Sequence, residues 1–440
     1  MPGRFLNRYN VYDENGVKNN KIYDICYKII TSKTRFDNKF PDKLFYAEVK
    51  LVCPKSKINY FINFPPVFRS INIKNNKETI GSYMYDYMES NKLASIDKEE
   101  RKLTMLLDTH GEYMVFSNYY LWFLLDHGLI IDDIKSVSTY ECHNGFNNFV
   151  TEFMKKRQNI LSGKESGTEK FYKMCLNGSY GYDGMNTEKY SKIKIYDKNQ
   201  TYRAIISDSY MNGAKLNDDN YLVQSNPKHY RCTTCLQESL WTLDNSKYWY
   251  LTFYYDFMNK CLDMNRIHVN TCETDSFYFS VAGNPNEPIN QEFKYVIKNK
   301  EFYDKHIYEF MPNPNIGTVD DTKKLLGCCV EEYGENQVAL CPKCYSIWSE
   351  NITKSIKLKG LSLKKNDINK DDYIDSIING TIKLGKNINL QMNNNQMSKV
   401  TTKKIAVNAT HTKMITLSIH SCVPFIFGLS ANDVVINNMD

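Results

Sequence analysis

Segments of helical period and segments of strand period alternate along this chain without a repeating strand–helix–strand rhythm, and that irregularity narrows the folds open to it. Residues 43–64, KLFYAEVKLVCPKSKINYFINF, alternate apolar and polar positions and predict a strand pair, broken at Pro65-Pro66. EYMVFSNYYLWFLLDHG, 112–128, carries apolar residues at helical spacing and a glycine stop at Gly128. NNFVTEFMKKRQNIL, 147–161, predicts an amphipathic helix with a basic end. A short SGKESGT loop leads to a second helix beginning near Glu169. Short strands and turns are expected over 188–223, then a helix at LDNSKYWYLTFYYDFMNKCL, a hairpin at TCETDSFYF, and more strands to about 361. Helices set among strands without βαβ units define an α+β fold, and 440 residues allow two or three packed units.

Two stretches carry candidate chemistry. In TCETDSFYF, 271–279, Glu273 and Asp275 stand at the tip between runs rich in β-branched and aromatic residues. A polar turn accounts for them, since Asp and Ser favour turns. A metal site does so too, because oxygen-only ligands suit Mg²⁺. In KFYKMCLNGSYGYDG, 170–184, Lys173, Asn177 and Tyr180 fall at i, i+4 and i+7 on one helical face, with Gly181 where the helix is expected to end. A cation, an amide and a phenol on one face suit a phosphorylated, planar ligand. A solvated helix with a glycine cap is the alternative.

Composition excludes some classes. The chain is 42% hydrophobic and 24% charged, the balance of an ordinary globular protein rather than a disordered one. Lys and Arg number 56 against 50 Asp and Glu, a mild excess that permits a polyanionic partner without demanding one. The longest apolar run, near YYLWFLL, is far too short to span a bilayer, and MPGRFLNRYN turns polar at once, unlike a signal peptide. Thirteen cysteines without an export signal fit reduced thiols in a cytosol-like compartment. The expectation is a soluble, intracellular protein with no membrane partner.

K-x-x-x-N-S-x-Y-G followed by x-D-T-D-S marks family B DNA polymerases; this chain has KMCLNGSYG and then CETDS. It resembles in particular the protein-primed branch carried by adenoviruses, certain bacteriophages, linear plasmids and Maverick-type elements. EYMVFSNYYLWFLLDHGLII is similar to the segment before the fingers helices, and LDNSKYWYLTFYYDFM to the helix that leads to the metal hairpin. CPKCYSIW is similar to the K-x-Y motif, and IKLKG to the adjoining basic strand, so the resemblance covers roughly residues 43–361. It implies a right-hand fold: a palm sheet with helical fingers and a thumb. The corresponding division is an N-terminal palm part with an insertion over 1–140, fingers helices over 141–187, palm with insertion and metal hairpin over 188–345, and a thumb-like region over 346–440.

The resemblance also assigns roles. Asp275 would ligate Mg²⁺ directly in a two-metal site, with Glu273 replacing the first family aspartate. Lys173 would meet the triphosphate of an incoming dNTP, and Asn177, Tyr180 and Gly181 would contact the nucleotide, while Gly178 replaces the family serine. Lys343 and Tyr345, two apart on a strand and facing one way, would hold the primer terminus near the metal. Lys357 and Lys359 repeat that spacing and would track the DNA backbone. The implied partners are template-primer DNA, a dNTP and a terminal protein that primes synthesis, at a viral replication site or in the host cytoplasm or nucleus.

The chain also departs from the family. D-x-x-S-L-Y-P, which supplies the other metal carboxylate, is missing; YDICYKI offers Asp24 and YDENG offers Asp13 as degraded matches. YAEVKLVCP, with Glu48 and Pro54, is similar to the strand that follows the missing motif. The acidic motifs of a 3′–5′ exonuclease are absent too; a truncated gene, a decayed copy and a split gene whose separate partner chain supplies both all fit. Two function classes stand: an enzyme that extends DNA, and a partial polymerase that holds DNA or a terminal protein without catalysing. Two decoys are set aside. RCTTC (Cys232, Cys235) and CPKC (Cys341, Cys344) are too far apart for a zinc ribbon, and GTIKLGKN follows a helical stretch, with Asn387 where a phosphate loop needs Ser or Thr.

Overall fold

A computed structural model describes residues 1–32, 43–92, 95–161, 166–185, 192–225, 234–273, 276–313, 330, 332–341, 343–349, 352–358, 360–393, 396–418 and 421–430. The chain opens with β1 (Pro2–Asn10) and β2 (Lys43–Val52), then the ribbon of β3 (Val67–Lys74) and β4 (Glu99–Leu106), then β5 (Met114–Ser117) and β6 (Ile130–Cys142). Four of these strands form a sheet in the order β1-β6-β2-β5. Strand β2 lies inside it and buries Leu44 to Ala47, Val49 and Leu51.

Two helices close over this sheet. Helix Asn118–Asp126 buries Asn118 and Tyr120 to Leu124, which leaves only Asp126 at its end exposed. Helix Leu236–Thr252 packs beside it and continues through a π-helical turn, Phe253–Met258, into Asn259–Cys261. The wider turn lets Phe253, Tyr254, Tyr255, Phe257 and Met258 all enter the core, where Phe61, Phe64 and Phe116 meet them. Sequence spacing placed this long helix correctly but started it seven residues late, at Leu243 instead of Leu236.

Two expectations are corrected here. Only the first half of 43–64 is strand, because Pro54 ends β2 and Ile58–Phe61 is helical. Ile58, Phe61 and Ile62 stand at helical spacing, a period that the alternation of β2 masked. Likewise 112–128 is not one helix: β5 takes Met114–Ser117, and the helix starts at Asn118. Its predicted stop holds, with Gly128 at φ 105°, a left-handed value that favours glycine.

Helices Asn147–Leu161 and Ser166–Asp183 form an antiparallel pair tied by Arg157 to Glu169 at 2.7 Å and by Phe153 against Tyr172. Strands β7 (Lys192–Tyr196), β8 (Tyr210–Lys215) and β9 (Tyr221–Ser225) form a sheet in the order β7-β9-β8. An unexpected helix, Lys198–Ile205, lies against it, started by a capping box of Asp197 and Gln200.

The hairpin follows as β10 (Ile267–Glu273) and β11 (Ser276–Val281), then β12 (Asn336–Cys341), β13 (Cys344–Ser349) and β14 (Ile352–Lys357), a three-stranded meander. Helix Lys370–Asn379 ends at Gly380 in the left-handed conformation and leads into a long ribbon, β15 (Lys383–Asn393) with β16 (Gln396–Val407). A last pair is β17 (Met414–Ser418) with β18 (Ser421–Pro424). Every strand pair named here is antiparallel. The architecture is therefore mixed α and β, with several small antiparallel sheets, as an α+β reading requires. Among the described residues no helix is long and apolar enough to cross a membrane.

Candidate nucleotide and nucleic-acid interface

The acidic hairpin forms where the sequence places it. Thr271 pairs with Tyr278, Cys272 with Phe277 and Glu273 with Ser276, so Glu273 ends β10 at the tip. Phe277 and Phe279 pack toward the aromatic core beneath, which fixes the hairpin to the long helix. Asp275 and Lys359 lie outside the described residues. Among the described residues no group of three or more His, Cys, Asp or Glu could hold a metal ion.

A polar seam joins this hairpin to the β12-β13-β14 sheet. Asn270 on β10 donates to Gln337 Oε1 on β12 at 2.6 Å, and the hydroxyls of Tyr278 on β11 and Tyr345 on β13 meet at 2.6 Å. Tyr345 donates to Glu332 Oε2 at 2.7 Å, Ser355 donates to Glu332 Oε1 at 2.9 Å, and the Lys357 ammonium lies 2.8 Å from that same oxygen. Lys357 is also the strand partner of Tyr345. Burial opposes ionisation of Glu332, but the bonds from Lys357, Tyr345 and Ser355 outweigh it and hold its carboxyl below the usual range. Burial, then the bonds to Tyr278 and Glu332, push the Tyr345 phenol far up, so it remains a neutral donor.

Of the expected DNA-side residues, the structure thus gathers Tyr345 and Lys357 beside the hairpin, around a carboxylate that sequence reasoning missed. Glu332 sits in VEEYGE, which matches no motif that was sought, and Tyr278 was read only as strand. Lys343 needs a correction. It lies in the turn between β12 and β13 at φ 64°, not on a strand, so its period-two relation to Tyr345 does not hold. Lys343 is exposed while the Tyr345 ring is buried.

On helix Ser166–Asp183, Lys173 and Asn177 are exposed and Tyr180 is half-buried. Gly181 does not end that helix; two further residues stay helical. A Cβ added at Gly178 or Gly181 would meet nothing within 4 Å, so the protein itself has no need of glycine there. Gly184 differs: its added Cβ would fall 2.5 Å from Ser239 Oγ, which marks close packing on helix Leu236–Thr252.

Of the two acids offered for the missing motif, Asp13 is engaged locally and Asp24 is exposed, while Glu48, on the strand that follows it, is ion-paired. Asp13 accepts from the backbone of Asn15 and Val17 at 2.9 and 2.8 Å, a turn-capping role. Glu48 pairs with Lys135 at 2.7 Å across β2 and β6, and Asp24 is exposed on helix Asn20–Thr31.

Charge has an uneven distribution that sequence reading overlooked. From Ser376 to Asn432 there are six lysines and neither Asp, Glu nor Arg, so the whole net charge of +6 resides in that stretch. Lys386 and Lys403 stand directly opposite on β15 and β16, and Lys399 and Lys404 are exposed beside them. Like charges directly opposed destabilise a ribbon unless a polyanion screens them.

The two decoys separate. Cys232 lies outside the described residues, and GTIKLGKN runs helix–glycine–strand, the reverse of a phosphate loop. No family model, no curated protein and no solved structure matches this chain.

Proposed function

We propose that the chain is the polymerase part of a protein-primed family B DNA polymerase, a palm with fingers and thumb, which adds dNTPs to a primer 3′-hydroxyl. The observation that carries this reading is the seam. The acidic hairpin meets the K-x-Y strand, 67 residues further on, and the neighbouring basic strand around Glu332.

Oxygen-only donors at the hairpin tip suit Mg²⁺, which Asp275 and Glu273 would hold; bound there, the ion would neutralise charge on the transferring phosphoryl group. The remaining work belongs to the chain. Lys173 draws the triphosphate as a point charge, and Asn177 and Tyr180 seat sugar and base against a helix that Gly178 and Gly181 leave open. Lys343 reaches the primer terminus from its turn, while Tyr345, held through Glu332, braces that turn against the hairpin. Lys357 and the ribbon lysines Lys386, Lys399 and Lys403 meet backbone phosphates without reading sequence.

A second reading keeps the DNA surface and drops independent catalysis. It is favoured by the local engagement of Asp13, which leaves the second carboxylate to Asp24 or to a partner chain. Primer extension by the purified chain with Mg²⁺ or Mn²⁺ separates the two. Extension that Asp275→Ala abolishes makes it an enzyme by itself. Salt-sensitive DNA binding without extension makes it a partial polymerase, and absence of both removes the proposal.

A further inference from the structure

Of the cysteines among the described residues, Cys341 and Cys344 alone face each other as strand partners, at the ends of β12 and β13 around the turn that carries Lys343. Directly opposed strand residues have Cα atoms about 4.5–5.5 Å apart, inside the range a disulfide spans without moving the backbone. Cys341 is half-buried and reachable; Cys344 is buried against Leu340, Ile368, Tyr373 and Val407. The two thiols are already in hydrogen-bond contact, and Tyr373 touches Cys344 from the other side. Burial pushes the thiols of Cys26, Cys53 and Cys261 up to about 11, and the bond from Cys341 together with burial raises Cys344 as well, so it is the strand pairing and not acidity that sets this pair apart.

We infer that Cys341 and Cys344 form a reversible disulfide that locks the Lys343 turn. A bridge closing so short a loop adds little to folding, so the pair is not a structural staple. The chemistry needs a small-molecule disulfide such as oxidised glutathione as the oxidant. The Cys341 thiolate attacks one of its sulfurs, forming a mixed disulfide and releasing one glutathione thiolate, which takes up a proton. Cys344 gives its proton to solvent, and its thiolate displaces the second glutathione from Cys341. The protein loses two protons and two electrons, and oxidised glutathione becomes two thiols.

The bond stands on the hairpin geometry; its effect rests on the role proposed above for Lys343. Closing the bridge takes up the Cys344 thiol that Tyr373 touches and fixes the turn from which Lys343 reaches the primer. Oxidation then lowers primer extension.

The test equilibrates the full chain in glutathione buffers stepped from reduced to oxidised, alkylates free thiols and maps them by peptide mass. The peptide holding both cysteines should lose both adducts on oxidation and regain both on reduction. Two retained adducts in oxidised buffer overturn the inference, as does protection that a chelator rather than a reductant reverses. Extension should fall on oxidation and recover with dithiothreitol in the wild type but not change in Cys341→Ser, with circular dichroism confirming that the variant folds. If extension is insensitive in both, the lock on Lys343 is wrong. If no form extends a primer, the mapping still decides the bond.

Discussion

Buried tyrosines end differently in two regions of this protein. In the aromatic core under the four-stranded sheet, the hydroxyls of Tyr120 and Tyr255 each donate to a backbone carbonyl, Pro66 and Phe64, at 2.5 Å. In the seam, Tyr278 donates to the Tyr345 hydroxyl, which donates in turn to a carboxylate that a half-exposed lysine also grips. The first arrangement satisfies a polar tip so that an apolar ring can be buried. The second assembles charge where an apolar contact would have held two sheets together as well. Stability explains the core. It does not explain the seam, and that surplus polarity is what the proposed DNA-binding role would account for.

The contrast can be broken by mutation, and the largest effect is expected in the core. Phe257→Ala should cost about 3–5 kcal/mol in denaturant unfolding, since Phe257 is fully buried against Phe253, Tyr303 and Phe310. A loss under 1 kcal/mol would mean the core is looser than its burial implies.

A buried charge away from the seam sharpens the comparison. Lys102 is 3% exposed, donates to Asn75 and, at 2.6 Å, to the Thr412 carbonyl, and burial pushes its ammonium down to about 8. Its folded value lies below the unfolded one, so between pH 8 and about 10.5 the unfolded chain binds more protons and stability rises with pH. Relative to Lys102→Met, the wild type should gain on the order of 3 kcal/mol across that window. A pH-independent difference would show that the amine is not desolvated.

Smaller effects are expected at the interface. Tyr345→Phe should cost only about 1 kcal/mol of stability, yet slow primer extension well beyond what lost folding accounts for. Equal loss in stability and activity would reduce the seam to scaffolding. Gly181→Ala should raise helix stability by about 0.5–1 kcal/mol while weakening dNTP binding, because only a ligand needs that space. Unchanged nucleotide affinity would return helix Ser166–Asp183 to a solvated face.

Local periodicity was informative wherever one element set its own pattern. Asn147–Leu161 and the β10–β11 hairpin could be read directly from spacing. It misled where two periods abutted: the alternation of β2 ran on into Ile58–Phe61, and the apolar run of β5 merged with the helix after it. Motif spacing placed Tyr345 and Lys357 on the strands that border the hairpin. Glu332 escaped because its role depends on contacts with partners 13 and 25 residues onward and 54 residues back, and no local pattern marks such a meeting. Lys343 was misassigned because the turn that carries it interrupts the strand period at that point.

The most direct test of the account is single-turnover primer extension by the wild type, Asp275→Ala and Glu332→Gln, compared at equal folded fraction. The account predicts no extension by Asp275→Ala and a wild-type fold with markedly slower extension by Glu332→Gln, because the seam orients the turn that meets the primer. Wild-type rates from Glu332→Gln would reduce the seam to a structural joint, and extension that survives Asp275→Ala would remove the hairpin from the chemistry altogether.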